Sequence, residues 1–138
     1  MDAKYFPIEI EEKWSKVWAE RELNKPESEQ NFSQIIPPPN VTGTLHMGHS
    51  FQYAIMDFYT RYHHMNGLDS YWQVGTDHAG IATQMVVENN LANEGKDKND
   101  LGREKFLKEV WKWKDYSEEK ITSQIKRLGC TVEWDKYR

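Results

Sequence analysis

Apolar residues recur at three- and four-residue intervals in several stretches of the chain, and two short apolar runs lie between them. Over residues 8–23, Ile10, Trp14, Val17 and Trp18 fall on or near one side, with Glu11, Lys13, Lys16 and Glu20 around it. That spacing predicts an amphipathic helix that docks on the rest of the protein and carries no chemistry. Residues 24–31 are polar and turn-rich and read as a linker. Residues 32–36 form an apolar run stopped by Pro37-Pro38-Pro39. They suit a buried strand, because proline cannot donate to a ladder. Residues 40–48 read as a loop with glycines at 43 and 48. Phe51, Ile55, Phe58, Tyr62 and Met65 then predict a helix over 49–65, closed by Asn66-Gly67. Residues 71–74 read as a second strand ended by Gly75, and residues 79–93 as a helix closed near Gly95. Polar residues 96–100 follow, with Asp100 a candidate N-cap. A long helix is expected over 102–128, its stripe formed by Phe106, Val110, Trp113, Ile121, Ile125 and Leu128 and its stop by Gly129. Residues 130–138 show no closing element.

Strand, helix and strand in that order imply a parallel pair with a right-handed crossover. Two parallel strands make a poor sheet alone, so the pattern looks like the opening portion of a doubly wound α/β sheet. The length of 138 residues fits one domain. With 38% hydrophobic and 29% charged residues the composition is that of a folded soluble chain. No apolar run approaches a membrane span, and the first residues lack the apolar core of an export signal. A cytoplasmic protein is expected. The net charge of −4 argues against nucleic-acid binding over the whole surface, though not against a local basic patch. The single cysteine, Cys130, excludes an internal disulfide and a cysteine-rich zinc site. It reads as a small buried or half-buried residue without a role.

Two segments carry candidate chemistry, each after a strand and before a helix, where open α/β sheets bind their ligands. In the first, Pro38 and Pro39 stiffen the exit from the strand. Gly43 and Gly48 remove side chains where backbone would approach a ligand. The helix that follows offers free N–H groups and a positive dipole end. His46 and His49 are three apart, so one turn can aim both imidazoles at one anion. Such donors suit a reaction in which negative charge grows at phosphorus. A histidine pair could also bind a metal, but two ligands are too few for a structural zinc site. No Gly-Lys-Ser/Thr follows, so this is not a P-loop. His63 and His64 do not share a helix face and read as surface or core-edge residues. In the second segment, residues 75–80, Asp77 has two readings. It caps the next helix, or it aims a carboxylate into the crevice to hold an ammonium group.

The run Pro37-Pro38-Pro39-Asn40-Val41-Thr42-Gly43-Thr44-Leu45-His46-Met47-Gly48-His49 resembles the "HIGH" region of class I aminoacyl-tRNA synthetases, in its valine-specific form. Gly75-Thr76-Asp77-His78-Ala79-Gly80-Ile81-Ala82-Thr83-Gln84 resembles a second motif of the same catalytic domain. The likeness continues through Glu12-Lys13-Trp14, Gly102-Arg103-Glu104 and Arg127-Leu128-Gly129, so it covers essentially the whole chain. It implies an α/β fold: the first half of a Rossmann-type nucleotide-binding domain, with parallel strands, covering helices and an N-terminal helix before them. Residues 1–31 would be the helix and linker, and residues 32–138 the first part of the catalytic domain. The resemblance implies ATP, with Mg2+ accompanying it, and valine as substrates, and tRNA(Val) as the acceptor of the activated valine. By the same resemblance His46 and His49 contact ATP and stabilise the charged transition state. Thr42, Gly43 and Gly48 belong to the ATP site, with Gly48 letting the adenine lie close to the backbone. Pro38, Pro39 and Asn40 line the valine side, and Asp77 binds the valine ammonium, which favours the second of its two readings.

The family's other signature, Lys-Met-Ser-Lys-Ser, is not among these residues, nor are its editing and anticodon-binding domains. The chain therefore reads as an N-terminal portion of such an enzyme, with weak activity of its own or none. A small stand-alone nucleotidyltransferase, or a non-enzymatic module that self-associates through an unfinished sheet, are the competing readings.

Overall fold

Strands β1 (Asn31–Ile35) and β2 (Asp69–Gln73) pair in parallel, with Asn31 opposite Asp69 and Ile35 opposite Gln73. Helix α2 (Met47–Met65) connects them. The computed structural model describes residues 4–20 and 29–138, without the side chains of residues 19 and 20. Helix α1 spans Pro7–Glu20. The rest of the helix expected to residue 23, and most of the expected linker, lie outside the described residues. Helices α3 (Gly80–Asn93), α4 (Lys98–Leu101) and α5 (Arg103–Leu128) follow β2. A 3₁₀ turn at Trp134–Lys136 ends the order. Among the described residues no helix is long and apolar enough to cross a membrane.

The main core joins the strand ends to α2 and α5. Ile36, Val41, Tyr53, Trp72, Val74, Ile121 and Ile125 are buried together, and Leu45, Met56, Cys130, Val132, Trp134 and Tyr137 pack around them. A smaller core of Val87, Leu91 and Phe106 seats α3 on α5. Helix α1 docks where α5 ends. The Trp18 ring lies 5.0 Å from the Arg61 guanidinium, and Glu11 pairs with Arg127 at 3.2 Å.

Three features depart from the expected pattern. Asp97, not Asp100, caps the segment after α3: its carboxylate accepts the N–H of Asn99 at 2.7 Å. Asp100 lies within the short α4, and Gly102 stands at the start of α5. The polar run holds a turn of helix, so its cap falls three residues earlier.

Second, the apolar stripe that marks α2 faces away from the strands. Phe51 is 70% exposed and Met65 86%, with Ile55, Phe58 and Tyr62 also exposed. The side that meets the sheet presents Tyr53, Met56 and Thr60. Gln34 of β1 donates to Met56 O at 2.7 Å and to the Thr60 hydroxyl. Periodicity correctly located the helix, but the densest apolar face is not the one against this sheet.

Third, residues 130–138 do close the structure. They run along the side of β2 away from β1. Glu133 N–H donates to Trp72 O at 3.2 Å, Arg138 N–H to Val74 O at 3.3 Å, and Thr76 N–H to Arg138 O at 3.1 Å. A Cβ on Gly75 would overlap Arg138 O, so the tail passes where residue 75 has no side chain. The bonds are too irregularly spaced for a strand, and Val132, Trp134 and Tyr137 anchor the segment instead. No strand pairs with the other side of β1 among the described residues.

Candidate functional site

The pairing of β1 with β2 continues into the loops beyond them. Ile36 N–H donates to Gln73 O at 2.9 Å, Asp77 N–H to Pro39 O at 2.9 Å, and Val41 N–H to Asp77 O at 3.0 Å. Asn40 and Asp77 form a parallel bridge. Both segments singled out from sequence thus meet at one end of the sheet. Asn40, Asp77 and Pro38 are exposed there, Thr42 is half-buried, and Pro39 is buried beneath. Val41 is fully buried and Leu45 packs on the main core, so alternate loop residues anchor the segment. Thr44 and Met47 face solvent.

His46 is the N-cap of α2, with an extended backbone. Its Nδ1 accepts the N–H of Gly48 at 3.1 Å, and His49 Nδ1 accepts the N–H of His46 at 3.2 Å. The two rings lie 3.9 Å apart between centroids. A nitrogen that accepts a hydrogen bond carries no proton, so each neutral ring keeps its proton on Nε2. Burial, and secondarily the neighbouring His46, hold the His49 imidazole below its ordinary value of 6.5. The pair can therefore offer two Nε2–H donors at a helix N-terminus, the arrangement that suits an anion. A Cβ on Gly48 would lie 2.9 Å from the His46 ring, so glycine there leaves room for the cap itself. At Gly43 a Cβ would meet no atom within 4 Å among the described residues.

Asp77 accepts the N–H of Ala79 at 2.8 Å. Helix α3 begins after Ala79, which has a left-handed backbone (φ 42°) and supplies no side-chain cap. The Asp77 carboxylate thus braces the turn before the helix and does not cap its first turn. Its second oxygen belongs to an exposed side chain. His63 stacks on Phe32 at 4.0 Å, a core-edge place away from the loops. Burial, with Asp57 next in effect, pushes the Cys130 thiol up to about 12, which suits an inert residue. Among the described residues no three His, Cys, Asp or Glu side chains gather to hold a metal.

Sequence reasoning missed the residues of α5 that grip these loops. Trp113 Nε1 donates to Val41 O at 3.0 Å, Ser117 Oγ donates to Gly43 O at 2.7 Å, and Gln124 Oε1 accepts the N–H of Leu45 at 2.9 Å. The Thr76 hydroxyl donates to Glu118 Oε1 at 3.0 Å, and Tyr137 donates to the same oxygen at 2.8 Å. Lys114 pairs with the other Glu118 oxygen at 2.6 Å. Burial alone would raise the Glu118 carboxyl, but Lys114, Tyr137 and Thr76 together hold it below its usual range. One signal was available. Ser117 sits four residues from both Trp113 and Ile121, a small polar residue on an otherwise apolar stripe.

Two parallel strands that end in a paired proline–asparagine loop and aspartate loop, with a histidine-capped helix between them, define a class. Residues 9–138 match the family described as tRNA synthetases class I (I, L, M and V), and the chain belongs to that family. Among curated relatives it is 54% identical over 135 residues to the valine-tRNA ligase of Acinetobacter baylyi, covering 97% of this chain and 14% of that protein. It is 52% identical over 136 residues to the valine-tRNA ligase of Neisseria meningitidis serogroup A, covering 96% and 14%. It is 48% identical over 134 residues to that of Pelagibacter ubique, covering 96% and 15%. The chain thus spans about 14–15% of the length of these relatives. In fold it is similar to the LeuRS of Agrobacterium radiobacter K84 agnB2, solved as a ternary complex with tRNA and LeuAMS. The TM-score is 0.73 at 20% identity, over 98% of this chain and 16% of that one. The N-terminal helix, parallel strands and covering helices are those of a class I synthetase.

Proposed function

We propose that this chain carries the ATP- and valine-recognising loops of a valine-tRNA ligase, within the first part of its catalytic domain at residues 32–138. The observation that carries this reading is the Asn40–Asp77 bridge, which sets the histidine-capped helix and the Asp77 carboxylate at one end of one sheet. Likeness to three valine-tRNA ligases over nearly the whole chain supports valine as the amino acid.

The reaction read onto this site is attack of the valine carboxylate on the α-phosphorus of ATP. One oxygen–phosphorus bond forms as the bond to pyrophosphate breaks, giving valyl-adenylate. The Nε2–H groups of His46 and His49 donate to phosphate oxygens, where charge builds as pyrophosphate leaves. Thr42, Gly43 and Gly48 flank the nucleotide. Pro38 and Asn40 border the valine side, with the buried Pro39 fixing their backbone. Asp77 keeps one oxygen on the Ala79 N–H and turns the other to the valine ammonium, so bracing and binding are compatible. Mg2+ would arrive with the ATP phosphates. The valyl group would pass to tRNA(Val), in the cytoplasm, through parts of a longer enzyme.

The test is valine-dependent exchange of labelled pyrophosphate into ATP. Slow exchange, abolished in both His46→Ala and His49→Ala, is expected. Robust exchange that survives both substitutions would overturn the assigned roles. Adenylate transfer to a substrate other than valine would favour a stand-alone nucleotidyltransferase.

A further inference from the structure

The contacts from α5 to the histidine loop follow a regular pattern. Residues 113, 117 and 124 are four and seven apart, which puts them on one face of a helix. Their partners are Val41, Gly43 and Leu45, alternate residues of a loop that turns at 41–42 and bends at 43. One face of the helix therefore holds successive points of the turning loop through hydrogen bonds, where an apolar stripe would offer none. Ser117 is buried, and a buried hydroxyl without a partner is costly. Gly43 O supplies that partner. The last of the three bonds, at Leu45, ends one residue before the His46 cap. From the neighbouring face of the same helix, Glu118 takes the Thr76 hydroxyl one residue before Asp77. A single helix of 26 residues thus sets the place of both loops.

We propose that Trp113, Ser117 and Gln124 are positioning residues for adenylate formation. They act through the backbone of residues 41–45 to hold the His46 and His49 donors in place before charge develops, while Glu118 does the same for Asp77 through Thr76. Donors fixed in advance need not reorganise during the reaction, which is where such groups gain their effect. This proposal rests on the reading of residues 38–49 and 75–80 as the substrate loops.

The test uses the 138-residue chain as it stands. Gln124→Leu removes the acceptor for Leu45 N–H, and Gln124→Glu restores an acceptor oxygen. The readouts are amide exchange at Leu45, the imidazole NMR signals of His46 and His49, and calorimetric affinity for a non-hydrolysable valyl-sulfamoyl adenosine. Gln124→Leu should speed Leu45 exchange about tenfold, the scale of one lost hydrogen bond. It should also shift both histidine signals and weaken the analogue about tenfold, and Gln124→Glu should recover all three. A lower melting temperature with unchanged histidine signals and unchanged affinity would make Gln124 merely structural and overturn the proposal. If Gln124→Leu does not fold, Ser117→Ala carries the same readouts, with unchanged histidine signals again overturning it. A wild-type chain that fails to bind the analogue, while its histidine signals still respond to Gln124, would support the positioning and overturn the substrate reading instead.

Discussion

Asp57, midway along α2, takes both the backbone N–H and the hydroxyl of Thr131, tying the tail to the helix that begins with the histidine pair. Its other oxygen accepts from Arg61 Nε at 2.6 Å, and Arg61 donates onward to Gly129 O at 2.7 Å. One carboxylate thus fixes the turn that leaves α5. Asp57→Ala should cost about 2–3 kcal/mol, because it deletes charge-assisted bonds and strands the Thr131 donors. Urea unfolding of the two proteins gives the difference. Asp57→Asn, which keeps an acceptor, should lose less, and equal losses would mean that the carboxylate charge contributes nothing.

The histidine pair makes a directional statement about pH. The folded state holds the His49 imidazole below its ordinary 6.5, chiefly by burial and then by His46. Its contribution to stability is fully present above pH 6.5 and is lost as pH falls through the lower folded value, where the folded ring must also take a proton. NMR titration should place His49 below 6.5. His46→Gln should recover only the smaller part of the shift, since burial remains. A His49 midpoint at or above 6.5 would sink this account.

Tyr53 is fully buried, and its hydroxyl has no hydrogen-bond partner among the described residues. A buried polar group in that state costs about 1–3 kcal/mol. Tyr53→Phe should therefore leave stability unchanged or raise it by about 1 kcal/mol, as read from thermal unfolding. A clear loss would show that the hydroxyl is satisfied after all.

Two glycines should behave oppositely. Gly75→Ala drives a methyl group into Arg138 O, so either the tail or the second loop must move. Overpacking of this kind costs about 1–3 kcal/mol. Amide exchange at Thr76, whose N–H bonds Arg138 O, should quicken with it. Gly43→Ala meets open space and should leave stability within about 0.5 kcal/mol of the parent. An equal penalty at both sites would argue against the tail contact.

How much of this was legible in the sequence differs between elements. Helices α2, α3 and α5 lie within one or two residues of their expected bounds, because Asn66-Gly67, Gly95 and Gly129 are strong stops. The two loops were readable because turn-forming glycines and prolines flank chemically distinctive residues. Outward exposure of Phe51 and Phe58 was not readable, since spacing tells which side of a helix is apolar and not what lies opposite it. The Ser117 and Gln124 bonds were hidden for a related reason. Their partners are backbone atoms 74 and 79 residues away, and backbone has no sequence signature. The tail went unrecognised because Val132, Trp134 and Tyr137 fit neither a helix nor a strand period.

The tail's place beside β2 also gives the sheet a direction. Residues 133–138 bond one flank at Trp72, Val74 and Thr76, and among the described residues no strand pairs with the other flank, at β1. A strand added next to β1 would meet that unpaired flank. Two copies pairing by their edges would meet β1 to β1 about a twofold axis, which consumes the open flank of each. Such pairing would leave no unpaired β1 flank in either copy, whereas a strand pair open on both flanks could stack without limit.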